Sequence, residues 1–193
     1  MKYILLLTVL LTSIAFAAPD FDETMTVAKQ GDVIAQYNLG VMYGEGVGVP
    51  ENESEAVKWF RKAADQGYAD AQYNLGLMYD NGEGVPENES EAVKWYRKAA
   101  DQGHASAQYN LGLMYVTGSD VPENSIRAYV WWSIAKTQGH TDATEYLEIL
   151  KPQMTSQQIA DGQALAAKCY ESSYKDCDWY LVNLRDFLRS SKL

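Results

Sequence analysis

The sequence predicts an all-α solenoid of antiparallel helix pairs, and two observations carry that expectation. The first is a repeat. Ala35-Gln36-Tyr37-Asn38-Leu39-Gly40 returns at Ala71 to Gly76 and at Ala107 to Gly112, each time 36 positions on. The same step relates Pro50 to Pro86 and Pro122, Trp59 to Trp95 and Trp131, and Gly67 to Gly103 and Gly139. A fixed period in this range marks an array whose units each contact only their neighbours. The second is periodicity inside the unit. Apolar residues recur at helical spacing in two blocks, and two helices with two glycine-rich turns use up the repeat.

Residues 1–17 read as a cleaved secretory leader. Lys2 precedes an apolar run from Ile4 to Phe16, and Ala15-Phe16-Ala17 supplies the small residues a signal peptidase needs. The run is too short to span a bilayer, which takes about 20 residues. No membrane insertion is expected after cleavage, and the A-x-A ending predicts a periplasmic or secreted protein. Loss of Lys2 with the leader leaves 15 basic side chains against 26 acidic ones, a net charge of −11. Such a surface repels nucleic acid and anionic lipid.

Residues 18–31 look like the back half of a unit. Ala28, Gln30 and Gly31 align with Ala64, Gln66 and Gly67, but the aromatic pair is missing. They predict an N-terminal capping helix, which arrays need because an end unit otherwise exposes a face meant for a neighbour.

Residues 32–67, 68–103 and 104–139 form three repeats. In the first helix of the first repeat, Ala35, Leu39, Met42 and Tyr43 make one apolar stripe. Gly40 sits beside it. A helical glycine costs about 1 kcal/mol against alanine, so its threefold return predicts close approach of two helices. Gly44 to Pro50 then stops the helix with glycines able to take positive φ. The second helix, Glu55 to Gln66, is expected to bury Ala56, Phe60, Ala63 and Ala64. Lys58, Arg61 and Lys62 face away, with Glu55–Lys58 and Arg61–Asp65 pairs on a solvated face.

The third repeat loses that basic face, since Ile126 to Ala135 is largely apolar. Residues 140–193 are expected to cover it as C-terminal capping helices: Thr141 to Lys151, stopped by Pro152, then Thr155 to Tyr170 and Asp178 to Arg189. Thr155 with Gln158 makes a capping box. Cys169 and Cys177, an even pair in an exported chain, predict a disulfide across a turn.

The pattern A-Q-Y-N-L-G-x-M-Y, a glycine-rich loop ending in V-P, then E-A-V-K-W-[FY]-R-K-A-A-D-Q-G resembles the Sel-one-like repeat family, relatives of the tetratricopeptide repeat. The resemblance covers residues 20 to about 147. It implies a right-handed superhelix whose first helices line a concave surface, in proteins that mostly act as scaffolds for protein partners. Many exported members of the family look similar in carrying such a cysteine pair.

Candidate chemistry is sparse. Ser133-Ile134-Ala135-Lys136 and Ser172-Ser173-Tyr174-Lys175 match S-x-x-K, the nucleophile motif of penicillin-binding enzymes, without S-D-N or K-T-G. Ser133 holds the slot of Arg61 and Arg97, read as outward. An enzyme acting on cell-wall or β-lactam substrates is therefore the alternative, and no catalytic residue is assigned. His104 and His140 share the slot of Tyr68 and read as turn positions, with no metal or cofactor expected. Asp80 to Gly84 lacks the ladder of an EF-hand loop. Asn52-Glu53-Ser54 and Asn88-Glu89-Ser90 are sequons, relevant only in a eukaryotic secretory path.

The far side of the first helices is the candidate partner site. At 100° per residue, Tyr37 and Val41 lie roughly opposite the buried stripe, as do Tyr73 and Leu77, and Tyr109 and Leu113. A helix wanting only solubility carries Lys or Glu there. Two roles fit: packing between repeats, or a groove for a protein or peptide partner, for which tyrosine offers a rigid contact with a polar tip. The expectation is a monomeric interaction module, either a scaffold for envelope or cell-wall proteins or an immunity protein that blocks a toxin delivered into the periplasm.

Overall fold

The computed structural model describes residues 20–118, 124–174 and Cys177. The leader and the helix expected from Asp178 lie outside the described residues. Among those described, nine α-helices follow one another with no strand. Helix α1 (Phe21–Lys29) caps the array, with the Asp20 side chain accepting from the Asp22 and Glu23 amides. Three pairs follow: α2 (Val33–Glu45) with α3 (Glu53–Asp65), α4 (Ala69–Asn81) with α5 (Glu89–Ala100), and α6 (Ala105–Thr117) with α7 (Ser125–Thr137). The chain continues through α8 (Thr141–Leu150), a 3-10 turn at Lys151–Gln153 where Pro152 stops the helix, and α9 (Ser156–Glu171).

Each pair ends its first helix on a left-handed glycine: Gly46 (φ 67°), Gly82 (φ 73°) and Gly118 (φ 74°). Asn52, Asn88 and Asn124 then cap the second helices, each accepting an amide three residues on. The second helix thus starts at Glu53, two residues before the sequence expectation, and it also buries Val57 and Trp59. Thr155 and Gln158 do form the capping box of α9.

The recurrent helical glycines are close-approach sites. A Cβ at Gly40 would stand 2.5 Å from the Phe60 ring, and one at Gly76 would stand 2.6 Å from the Tyr96 ring. At Gly112 it would overlap Trp132. The aromatic after the recurrent tryptophan therefore lies flat on its partner helix. The tryptophans face the other way: Trp59 packs with Ala28, Ala35, Leu39 and Met42 on the capping side, and Trp95 packs with the first repeat's core. Each second helix so seals two interfaces, one within its unit and one with the unit before.

A buried glutamine ladder ties the units as well. Gln36, Gln72 and Gln108 donate to the carbonyls of Ala28, Ala64 and Ala100 at the end of the preceding unit, at 3.0–3.1 Å. Each also accepts from a glutamine at its own unit's end, Gln66, Gln102 or Gln138, at 2.6–2.7 Å. Gln36 rather than Tyr43 completes the buried face of α2, because Tyr43 is only half-buried.

The basic face is not simply solvated. Lys58 pairs with Glu55 at 2.6 Å as expected. Arg61, expected to pair with Asp65, instead donates to the Tyr79 hydroxyl and lies over the Tyr79 and Trp95 rings. Lys62 sits 3.7 Å from the centre of the Trp59 ring. Stacking on an aromatic face spends less desolvation than burial and still satisfies the charge.

The apolar α7 is covered by α8 and α9, with Val130, Trp131, Trp132 and Ile134 fully buried. Gly162 of α9 lies against the Tyr129 ring, and a disulfide joins Cys169 to Cys177 with Cα atoms 4.8 Å apart.

Candidate functional site

The six positions singled out on the first helices are all half-buried. The tyrosines work between units. Tyr37 packs on Phe60 of its own pair and edge-on to Tyr68 (centroids 5.1 Å apart), which precedes α4. Tyr73 packs on Tyr96 and stacks on His104 at 4.5 Å, and Tyr109 stacks on His140 at 4.7 Å. The packing role weighed from the sequence is therefore present at all three, and each ring keeps an exposed part. Burial raises the pKa of all three phenols above the ordinary tyrosine value, and at Tyr109, beside the Tyr146 hydroxyl, to about 12. All stay protonated near neutrality and can donate a hydrogen bond.

The histidines are helix caps. His104 Nδ1 accepts from the Ala107 amide at 3.2 Å and His140 Nδ1 from the Ala143 amide at 3.3 Å. Burial lowers the His104 pKa, while Asp70, 3.4 Å from Nε2, acts in the opposite direction. Among the described residues no group of three His, Cys, Asp or Glu side chains could hold a metal.

The aliphatic members open onto a groove. Val41 of α2 and Leu77 of α4 line one cleft of about 180 Å³, with Phe60 and Met78 completing its apolar lining. Glu45, Glu53 and Glu83 stand around it. Sequence reasoning missed these acids because no motif marks them: they come from the end of one helix, the start of another and the next unit's loop. Gly84 brings that loop in. Its amide donates to Glu53 at 3.0 Å, and its φ of 66° suits glycine.

The S-x-x-K serine leads nowhere comparable. Ser133, read as outward, is half-buried and lines an apolar notch with Ile134, Thr137, Ala166, Ala167 and Tyr170, none of them an acid or an imidazole. Lys175 of the second match lies outside the described residues. Among those described, no helix is long and apolar enough to cross a membrane.

Helix pairs stacked by a glutamine ladder, with a groove between successive first helices, define a helical-repeat scaffold. A family profile describing the Sel1 repeat matches residues 33–68, 69–104 and 105–140, and the chain belongs to the Sel1 repeat family, a family of protein-interaction scaffolds. A protective antigen present in uropathogenic Escherichia coli strains and displaying an SLR fold superposes with a TM-score of 0.74 at 34% identity. The match covers 81% of this chain and 34% of that one. A Sel1 repeat protein from Oxalobacter formigenes superposes at 0.61 with 38% identity, over 66% of this chain and 96% of that one. Cysteine rich protein B of Helicobacter pylori shares the fold at 0.53 and 22% identity, over 66% of this chain and 96% of its own. A sel1-like repeat-containing protein of Acanthamoeba polyphaga mimivirus is 46% identical over 44 residues, and the chain spans 8% of its length.

Proposed function

We propose that the protein is an exported interaction module that holds a segment of a partner protein along the face of its first helices. The observation that supports this most is the groove at Val41 and Leu77, an apolar floor left open between units on a face where packing has already used the tyrosine edges. An immunity protein against a secreted effector is one form of this reading, and would be encoded beside that effector. Export to the periplasm rests on the leader, and predicts an intact mass that begins at Ala18.

A partner purified from the envelope fraction supplies the test. Tyr73 is the middle tyrosine, and central aromatic anchors carry about 2 kcal/mol or more of binding energy. Tyr73→Ala is expected to weaken the partner roughly 30-fold by calorimetry, since each 1.4 kcal/mol is tenfold. It also loses the Tyr96 and His104 contacts, so its melting temperature falls. Arg61 is not a neutral control, given its bond to Tyr79. Lys58, on the exposed outer face, is, and Lys58→Ala should leave affinity unchanged. Full affinity in a folded Tyr73→Ala protein, measured well below its melting point, removes the groove from the function.

A further inference from the structure

The groove between α2 and α4 recurs two repeat periods later with different chemistry. Adding 72 to Gly44, Phe60, Asn74, Leu77 and Met78 gives Val116, Trp132, Tyr146, Ile149 and Leu150. Those five side chains line a second cleft, of about 130 Å³, between α6 and α8. The two clefts are the same inter-unit position at the two ends of the array.

Their rims differ systematically. Glu45, Glu53 and Glu83 line the first, whereas the lining of the second holds no acid and Thr117 and Ser125 stand in sequence where Glu45 and Glu53 did. The floor changes in the opposite sense, from Asn74 to Tyr146 and from Gly44 to Val116. Val116, Tyr146 and Ile149 are exposed large hydrophobics, Ile149 at 54%. At the intermediate position Asp80 replaces Gly44 and accepts a 3.0 Å hydrogen bond from the Tyr96 hydroxyl.

Among the described residues no ion pair engages the acids of the first cleft. Pairs such as Lys58–Glu55, Lys94–Glu91 and Lys151–Glu148 involve none of Glu45, Glu53 and Glu83. Among the described residues Glu53 accepts from the Gly84 amide and Glu83 from the Asn81 side chain. An apolar floor under three carboxylates fits a side chain with an aliphatic stem and a cationic head. A cleft lined by Val116, Trp132, Tyr146, Ile149 and Leu150, with Gln153 as its polar member, fits an uncharged apolar one.

Resting on the groove reading above, we infer that the partner segment is bipolar. It places a lysine or arginine between α2 and α4, and an aromatic or large aliphatic residue between α6 and α8. Packed helix axes lie about 8–10 Å apart, and successive first helices, each packed on the second helix between them, are spaced at least that far, so the clefts lie on the order of 20 Å apart. An extended chain covers that in about six residues, at about 3.3–3.6 Å each.

The probe is a set of fluorescent peptides in which Arg, Gln or Glu is joined to Trp or Ser through Gly-Ser spacers of graded length, in both orders. Binding to the full chain is read by anisotropy. The Arg and Trp peptide with a spacing near six residues should bind best, with Arg preferred over Gln by roughly tenfold or more, the scale of one charge-assisted hydrogen bond. E45Q/E53Q/E83Q should abolish the Arg preference and keep the Trp one, whereas Ile149→Ser should do the reverse. All four residues are exposed, so both variants are expected to fold, which melting curves check. The inference is overturned if Glu peptides bind as well as Arg peptides, if the triple variant keeps the Arg preference, or if no peptide binds. In those cases a Tyr73-dependent partner would leave the groove reading standing. If the peptides bind equally to Val41→Ser/Leu77→Ser, the groove reading itself fails.

Discussion

At the scale of single residues, the repeat is fixed by contacts that leave no room for a substituent. Gly76→Ala is a case where two effects compete. Alanine favours the helix by about 1 kcal/mol, but its Cβ would stand 2.6 Å from the Tyr96 ring, which Tyr73 and the Asp80 hydrogen bond hold in place. Overpacking of this kind costs about 1–3 kcal/mol, so the variant should be less stable by denaturant unfolding. A more stable Gly76→Ala protein would show that the ring moves freely. His104 gives the fold a pH dependence. Its folded pKa lies below the ordinary 6.5, so as pH falls the unfolded chain takes up the proton first. Its contribution is fully present above about 6.5 and is lost progressively as pH falls below that value. The cap needs Nδ1 free of a proton, so the loss acts at the start of α6. His104→Asn, which keeps a capping acceptor without titrating, should flatten the melting temperature between pH 7 and pH 5 relative to the parent. An unchanged slope would place the titration elsewhere.

Helix pairs are joined less by apolar area alone than by a chain of side-chain amides. Gln72 is buried, donates to Ala64 and accepts from Gln102, so one residue links two units and both helices of its own. Gln72→Ala removes both bonds, and because Gln102 keeps the Lys98 carbonyl and the Ala64 carbonyl keeps the Gly67 amide, the cost should be about 1–2 kcal/mol, the worth of two ordinary hydrogen bonds. Gln72→Ala with Gln102→Ala should cost less than the two singles added, and strict additivity in denaturant unfolding would rule the link out. This ladder shows where sequence reasoning stopped. The glutamines recur visibly at every step, yet glutamine is mostly a surface residue, and nothing local reveals that its partner is a carbonyl of the preceding unit. The glycine contacts were legible because a helical glycine is costly and invites explanation. The Glu45, Glu53 and Glu83 rim was not, because its acids meet only when Gly84 folds one unit's loop onto the next. Arg61 misled for a related reason: an i,i+4 acid suggested a local pair, and the Tyr79 hydroxyl from the next unit took the guanidinium instead.

Across the whole molecule the core is uneven, and in a nearest-neighbour array that unevenness should set the order of opening. The N-terminal end rests on five buried residues, Ala28, Ala35, Leu39, Met42 and Trp59, closed by the nine-residue α1. The C-terminal end is one continuous cluster from Ala92 to Cys177, in which Tyr96, Tyr115, Trp131 and Trp132 are all fully buried. Apolar burial stabilises by about 25 cal/mol per Å², and aromatic side chains bury about 150–250 Å² each, so the second core outweighs the first by several kcal/mol. The disulfide adds to the same end by holding α9 to Cys177. Hydrogen exchange followed along the intact chain should therefore show α1 and α2 opening first and α7 last. Reductant should lower protection in α9 while leaving α1 and α2 as they were, because each unit feels only its neighbours. Uniform protection from α2 to α7 would mean that the ladder makes the array one cooperative block. A reductant effect that reached α2 would mean the same.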